Sequence, residues 1–305
     1  MSITSELIVP EHLSGQRLDR VLLALCPKLS LRARRRMTED GLVLVNGRRA
    51  CCATKLCEGD SVCLCQKKSV SHISSAKFLA KDGDILFFFK PRGLHTECLA
   101  GSTHASLEAL VPELYPQAED VRLVQRLDLG TSGIVSAICS REAHASFRTM
   151  EEAGNVQKKY FALLEGKLTR PRQAKMALDT RKRTQTKLKS AEAPWSRWTS
   201  FIPLAIFAEG SPLPPWLNIS FSAFPCDLTL AGCSIHRGAR HQIRAHAAGL
   251  GHPLFGDSLY GGRPHAVFFL HQAFVAVGES RCLCLPDWLV EDSLPSEILS
   301  WLRGF

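Results

Sequence analysis

Arg126-Leu127-Asp128-Leu129-Gly130-Thr131-Ser132-Gly133 sets a carboxylate two residues after an arginine and just ahead of an apolar run, Ile134-Val135-Ser136-Ala137-Ile138-Cys139. The run has the composition of a buried strand, and Gly130 to Gly133 that of the turn feeding it. An aspartate held on such a turn is fixed in position and still open to solvent. Nucleophilic or general-base chemistry asks for that combination. The simpler alternative is an aspartate that only caps the turn through its backbone.

The elements around this segment are legible from spacing. Leu18, Val21, Leu22 and Leu25 recur at helical intervals within Gly15 to Leu25, and Pro27 ends that helix. Ser30 is placed to cap a second helix, Leu31 to Glu39, with Gly41 as its stop. Val43-Leu44-Val45-Asn46-Gly47-Arg48-Arg49 reads as a hairpin with Asn-Gly at a two-residue turn. A Gly59-Asp60 turn leads into a strand from Ser61 to Cys65. Gln66 to Ser75 is polar and reads as a linker. Beyond it, Ile85 to Phe89, Tyr160 to Leu164 and Leu228 to Ile235 read as strands. Ser140 caps a helix running to Met150, and a further helix spans about His241 to Ala248. Strands and helices do not alternate strictly. That favours an α+β fold with a largely antiparallel, mixed sheet.

At 305 residues the chain is long enough for two domains. No apolar run is long enough to span a membrane, and the N-terminus lacks a secretory pattern, so a cytoplasmic location is expected. The net charge of +9 suits a polyanionic partner. Arg32, Arg34, Arg35 and Arg36 crowd one short segment, and a second basic run extends from Lys167 to Lys189. Each is either a solvated face or a phosphate footprint. The 12 cysteines include Cys63-x-Cys65 and Cys282-x-Cys284 but no Cys-x-x-Cys pair, so no zinc ribbon is indicated. They are read as reduced thiols, mostly small buried hydrophobes. No dinucleotide fingerprint, Walker loop or metal spacing occurs, so no cofactor and no metal are expected.

Arg126-Leu127-Asp128 with Thr131-Ser132-Gly133 resembles the signature of the RluA-type RNA pseudouridine synthases. Three more segments continue the resemblance in the family's order: Lys90-Pro91-Arg92-Gly93-Leu94, Lys159-Tyr160-Phe161-Ala162, and His241-Gln242-Ile243-Arg244 followed by Gly251 to Gly261. The first 66 residues, with a core at 15–66, are similar to an S4-type RNA-binding domain. The resemblance therefore implies an S4-like α/β domain, a linker at 67–81 and a catalytic domain at 82–305. The catalytic domain would hold a central cleft in a mixed sheet, and residues 190–226 fit the family poorly. That proline- and tryptophan-rich stretch is either an ordered insertion over the cleft or a mobile loop.

What the resemblance implies for function is the isomerisation of uridine to pseudouridine in RNA, ribosomal RNA above all, by a monomer. Asp128 would be the reacting carboxylate, Arg244 its ion-pair partner, and Tyr160 the ring that stacks on the base. Three routes are open to Asp128: attack on the sugar carbon, addition to the uracil ring, or removal of a sugar proton. All three need it charged. Arg126 would fill the gap left by the extruded nucleotide, and Ile243 would line the pocket. Lys90, Arg92, Arg240 and the Arg32–Arg36 cluster would touch the RNA backbone. Two departures stand out. Gln125 replaces the histidine usual before Arg-Leu-Asp, and Gly238-Ala239-Arg240-His241-Gln242 stands where the family has Gly-Arg-Thr-His-Gln. They motivate an alternative, a non-catalytic RNA-binding or RNA-chaperone protein on the same fold. A cysteine-based redox or metal protein is the third.

Overall fold

The computed structural model describes residues 2–27, 29–39, 43–66, 75–98, 105–117, 120–182, 184–219 and 223–304. Gly41, residues 67–74 of the expected linker, and Arg183 lie outside them, as does the side chain of Arg36. The chain divides into two compact units, Met1–Ser74 with Glu97–Leu110, and Ser75–Thr96 with Val111–Phe305.

The first unit holds β1 (Ser2–Ile8), α1 (Leu18–Leu25), α2 (Leu31–Glu39), β2 (Val43–Val45), β3 (Arg48–Arg49) and β4 (Ser61–Gln66). The strands form an antiparallel sheet in the order β1-β4-β2-β3. α1 starts at Leu18 because Gly15 turns the chain in the left-handed region at φ 77°. Leu18, Val21 and Leu22 then pack with Val43, Leu56 and Val62. Ser30 caps α2, its Oγ accepting the Ala33 N–H at 3.3 Å. Asn46 and Gly47 both have positive φ, 50° and 75°, as a primed hairpin turn requires. β1 was not anticipated. It pairs with β4 and brings Val9 into the core.

The arginine cluster does not form one face, which corrects the expectation. On a 3.6-residue period Arg32 and Arg34 lie about 160° apart on α2, so they point to opposite sides. Arg34 is accordingly buried, while Arg32 and Arg35 are exposed. Arg35 donates through Nε to the buried carboxylate of Asp19 at 2.6 Å.

In the second unit, β5 (Lys77–Asp82) and β6 (Ile85–Lys90) come first, so residues 77–81, expected in the linker, form most of a strand. α3 (Leu107–Leu114) begins in the first unit and ends in the second. There follow β7 (Arg122–Leu123), β8 (Ser132–Ile138), α4 (Arg141–Ala153), β9 (Val156–Glu165), β10 (Arg172–Ala174), β11 (Met176–Asp179) and β12 (Lys187–Glu192). β13 (Thr199–Phe207), β14 (Leu228–Ile235), α5 (Gln242–Gly249), β15 (Leu270–Val277), β16 (Ser280–Leu283) and α6 (Ser296–Arg303) complete it. The main sheet runs β10-β13-β14-β9-β15-β8-β6-β5, with β16 on β15 and β7 on β8. Among the strands of the described residues only β15 and β8 pair in parallel, so the fold is α+β with a largely antiparallel sheet, as expected. Among the described residues no helix is long and apolar enough to cross a membrane.

The described part of 190–226 is neither an appended insertion nor a loose loop. β13 is a strand of the main sheet, in register with β14 from Ser200↔Ser234 to Phe207↔Leu228. Pro203 is tolerated because the register slips beside it, between Pro203 and Ala205. Trp216, Leu217 and Phe224 are buried in the core of this unit with Phe161, Phe255 and Trp288. Large apolar side chains, not the prolines, decide how the segment is used. The cysteines also differ from expectation: of the 11 whose side chains are described, only Cys63, Cys226, Cys233 and Cys282 are buried.

Candidate active site

Asp128 lies between β7 and β8, in the loop that delivers the chain into the sheet. Its carbonyl accepts the Thr131 N–H at 3.0 Å, so it does close a turn. The backbone is bracketed on either side of it. Thr96 Oγ1 accepts the Leu127 N–H at 3.0 Å and donates to the Leu127 carbonyl at 2.9 Å. The Gly93 N–H donates to the Leu129 carbonyl at 2.7 Å. The carboxylate itself stays 22% exposed. It is thus held by its backbone with its charge facing out.

Replacing Thr96 by valine keeps the shape and strands both backbone groups of Leu127. The expected cost is ~1–3 kcal/mol per unpaired group in urea denaturation. Turnover should fall roughly 10- to 100-fold from misplacement of Asp128, and serine at 96 should restore it.

Arg244 rises from α5 and donates from Nη1 to Asp128 Oδ2 at 3.2 Å. The pairing anticipated from sequence is present, but the guanidinium fork is spent elsewhere. Nε and Nη2 hold the two oxygens of Asp257 at 2.6 and 2.8 Å. The Asp257 side chain is only 2% exposed, against 22% for Asp128, so it takes the two-point contact that a buried charge requires. Burial pulls the Arg244 pKa down, but Asp257 and then Asp128 outweigh it and leave it raised. The guanidinium also lies over the rings of Tyr260 and Phe268, with its central carbon 5.1 and 4.6 Å from their centroids.

His241 stands at the start of α5 with φ 54°, and its Nε2 is 3.9 Å from Asp128 Oδ2. Its Nδ1 is 3.0 Å from the Tyr260 hydroxyl. Burial lowers its pKa more than Asp128 raises it, so the ring is mainly neutral at pH 7. The Tyr260 hydroxyl in turn accepts the Thr186 N–H at 2.8 Å, which ties the loop between β11 and β12 to the site. Gly130 lies against Phe268: a Cβ there would fall 2.6 Å from the ring.

Lys90 corrects an expectation. It is wholly buried and does not face an RNA backbone. Its Nζ donates to the carbonyls of Pro91 and Leu94 at 3.0 and 2.8 Å, closing the loop that leads to Thr96. Burial lowers its pKa to about 7, against an opposing pull from Asp128. Between pH 7 and about 10.5 the unfolded chain holds a proton that the native state lacks, so this group makes stability rise with pH there. The stability of the wild type relative to Lys90→Met should therefore increase from pH 6.5 to pH 9 in urea titrations. A constant difference would contradict it.

The remaining candidates divide. Arg126 is exposed. Arg92 pairs with Asp287 at 3.1 Å and lies over the Phe269 ring. Arg240 is not free for phosphate through its Nη2, which donates to the carbonyls of Thr180 and Lys182. Ile243 is buried within α5. Tyr160 is 5% exposed, its hydroxyl donating to Gln272 Oε1. Burial, and then Asp128, raise its pKa, so it stays a neutral phenol. Asp257, Tyr260, Phe268 and Gln272 had no assigned role in the sequence. For Asp257 the signal was there, a lone acidic residue inside the matched segment Gly251 to Gly261. Among the described residues no group of acidic, histidine or cysteine side chains could hold a metal.

Residues 84–249, more than half of the chain, match the RNA pseudouridylate synthase family. The chain belongs to this family. It is 29% identical over 269 residues to ribosomal large subunit pseudouridine synthase D of Nitrosomonas europaea, covering 85% of this chain and 72% of that one. To ribosomal large subunit pseudouridine synthase C of Escherichia coli it is 29% identical over 267 residues, or 82% and 77% of the two chains. Human RNA pseudouridylate synthase domain containing 1 has a similar fold, with a TM-score of 0.57 at 18% identity over 76% of this chain and 96% of that one. An RNA pseudouridine synthase exchanges the N1–C1′ bond of uridine for a C5–C1′ bond. Asp128, Arg244, Tyr160 and Gln125 all fall inside the matched residues; Asp257, Tyr260 and Gln272 lie beyond them.

Proposed function

We propose that the chain isomerises particular uridines of ribosomal RNA to pseudouridine and that Asp128 is the carboxylate that reacts. The observation that carries the reading is the arrangement of Asp128: backbone fixed on both sides, carboxylate partly open, and one oxygen 3.2 Å from the buried guanidinium of Arg244. The reaction is an isomerisation. The glycosidic bond breaks, the base turns, C5 bonds to C1′, the C5 proton leaves and N1 gains one. No electrons are gained or lost overall, so a carboxylate, a base-holding pocket and a means of extrusion suffice.

Arg244 stabilises the Asp128 anion through Nη1, and Asp257 keeps that guanidinium in place. Tyr160 supports the extruded uracil, and Arg126, exposed two residues ahead of Asp128, occupies the gap that the nucleotide leaves. Phe268 and Tyr260 hold Arg244 from its faces. The names of the two bacterial relatives support a ribosomal RNA substrate.

The first unit serves as an S4-like RNA-binding module, with two helices ahead of the Asn46-Gly47 hairpin and Arg32 turned outward. Arg32→Glu should weaken RNA affinity and leave the rate at saturating RNA unchanged. A lower saturated rate with unaltered affinity would sink that role. The substrate is tested by mapping pseudouridine in total RNA from cells with and without the gene. Loss of one or a few large-subunit ribosomal sites supports the reading. Loss confined to transfer RNA, or no loss anywhere, refutes it.

A further inference from the structure

Tyr160 and Gln272 are direct register partners across the β9–β15 ladder, so their side chains rise from the same face of the sheet. The Tyr160 hydroxyl donates to Gln272 Oε1. Gln272 Nε2 donates to Gln125 Oε1 at 3.2 Å. Gln125 directly precedes the Arg126-Leu127-Asp128 segment. All three residues are buried. The string therefore runs from the Tyr160 ring to the root of the loop that carries Asp128.

The backbone is shaped to allow it. Gln272 also pairs with Gly133, in the parallel contact between β15 and β8. Gly133 has φ 125°, and a Cβ there would fall 2.3 Å from the Gln272 carbonyl oxygen. Only glycine lets the two strands close far enough for Gln272 to stand between Tyr160 and Gln125. At the far end the string stops short: Gln125 Nε2 is buried and has no partner among the described residues.

We propose that Gln272 and Gln125 are positioning residues for Tyr160, a two-amide relay that commits the phenol proton to Gln272 and turns the hydroxyl oxygen's lone pairs toward the site. The inference rests on the uridine-isomerase reading for its catalytic consequence. A phenol without this anchor can rotate its O–H toward the base or toward Asp128. With the anchor it offers the substrate an acceptor and a ring held at one height.

Gln272→Met keeps the length and apolar stem and removes both hydrogen bonds. It should lower kcat roughly 10- to 100-fold, the scale of a misplaced active-site group, with KM changed by less than about 2-fold. Gln125→Met, which breaks only the outer bond, should show a smaller loss of the same kind. In a Tyr160→Phe background Gln272→Met should add nothing, because the hydroxyl it positions is gone. The chain has three tyrosines, so ring-carbon labelling resolves Tyr160 by NMR without reference to activity. Its Cζ resonance should move in Gln272→Met while those of Tyr115 and Tyr260 stay. Full kcat in Gln272→Met, or an equal loss with and without the Tyr160 hydroxyl, overturns the proposal. So does an unmoved Tyr160 resonance. A wild type that modifies no RNA would sink the isomerase reading instead, and the NMR comparison would still decide whether the relay exists.

Discussion

Asp128→Asn should reduce pseudouridine formation by at least ~10³-fold, the scale on which enzymes lose a nucleophile or general base. The asparagine is nearly isosteric, and the brackets at Leu127 and Leu129 involve only backbone on the Asp128 side. Arg244 keeps its two bonds to Asp257 when Asp128 loses its charge, so no buried cation is stranded. The asparagine can still accept a hydrogen bond from Arg244 Nη1, so little stability should be lost. Unfolding midpoints should therefore be close to wild type. RNA affinity should be unchanged or slightly higher, since a negative charge is removed and the partner is a polyanion. Gel-shift titration and rate measurement on the same preparation separate the two effects. Comparable losses in affinity and rate would mean that Asp128 binds and does not react.

Arg244→Met carries the second large effect, and it falls on stability as well as rate. The substitution leaves the carboxylate of Asp257 buried and without its donors, because Arg244 supplies both of its side-chain bonds. Breaking a buried pair from one side costs about 3–5 kcal/mol. The Asp128 anion also loses its cation, and removal of one electrostatic donor to a reacting group typically lowers turnover ~10²–10³-fold. The two consequences are separable. Arg244→Met with Asp257→Asn should recover much of the stability, since no buried charge is then orphaned, and none of the activity. Urea denaturation and initial rates on the single and double variants read both. Recovery of rate along with stability would show that Arg244 acts only as scaffold.

Much of the fold was legible because local chemistry and tertiary packing agree. Ser30 and α2, Ser140 and α4, and the apolar run of β14 all form where their patterns place them. β15 was missed for a physical reason. It carries His271 and Gln272, polar side chains that look like surface and are in fact buried and bonded. His271 is held between the Ser132 hydroxyl and the Cys284 carbonyl, and burial lowers its pKa to about 4. No local pattern announces that a polar residue will find such partners. β13 was obscured by the proline-rich composition around it; the one proline inside it, Pro203, sits beside a register slip.

The site shows the same division. The contact between Asp128 and Arg244 was legible because their segments carry a recognisable order. Asp257 was not, because its part in the site exists only once α5 and the following loop bring it to the guanidinium. Lys90 and Arg34 were misjudged, though periodicity contained the warning. Lys90 follows the apolar run Ile85 to Phe89 in β6, and Arg34 sits roughly half a turn from Arg32 on α2. Charge in a sequence suggests exposure, but the period of the element around it decides.

The central claim is that the Asp128 carboxylate, beside Arg244, makes this chain a uridine isomerase. Forming the C5–C1′ bond expels the C5 hydrogen, so the most direct measurement is tritium release from a large-subunit ribosomal RNA transcript labelled at uridine C5. One tritium should be released per pseudouridine formed by the purified wild type, with release falling at least ~10³-fold in Asp128→Asn. Undiminished release from the Asp128→Asn protein, or none from the wild type on any RNA tried, would contradict the account.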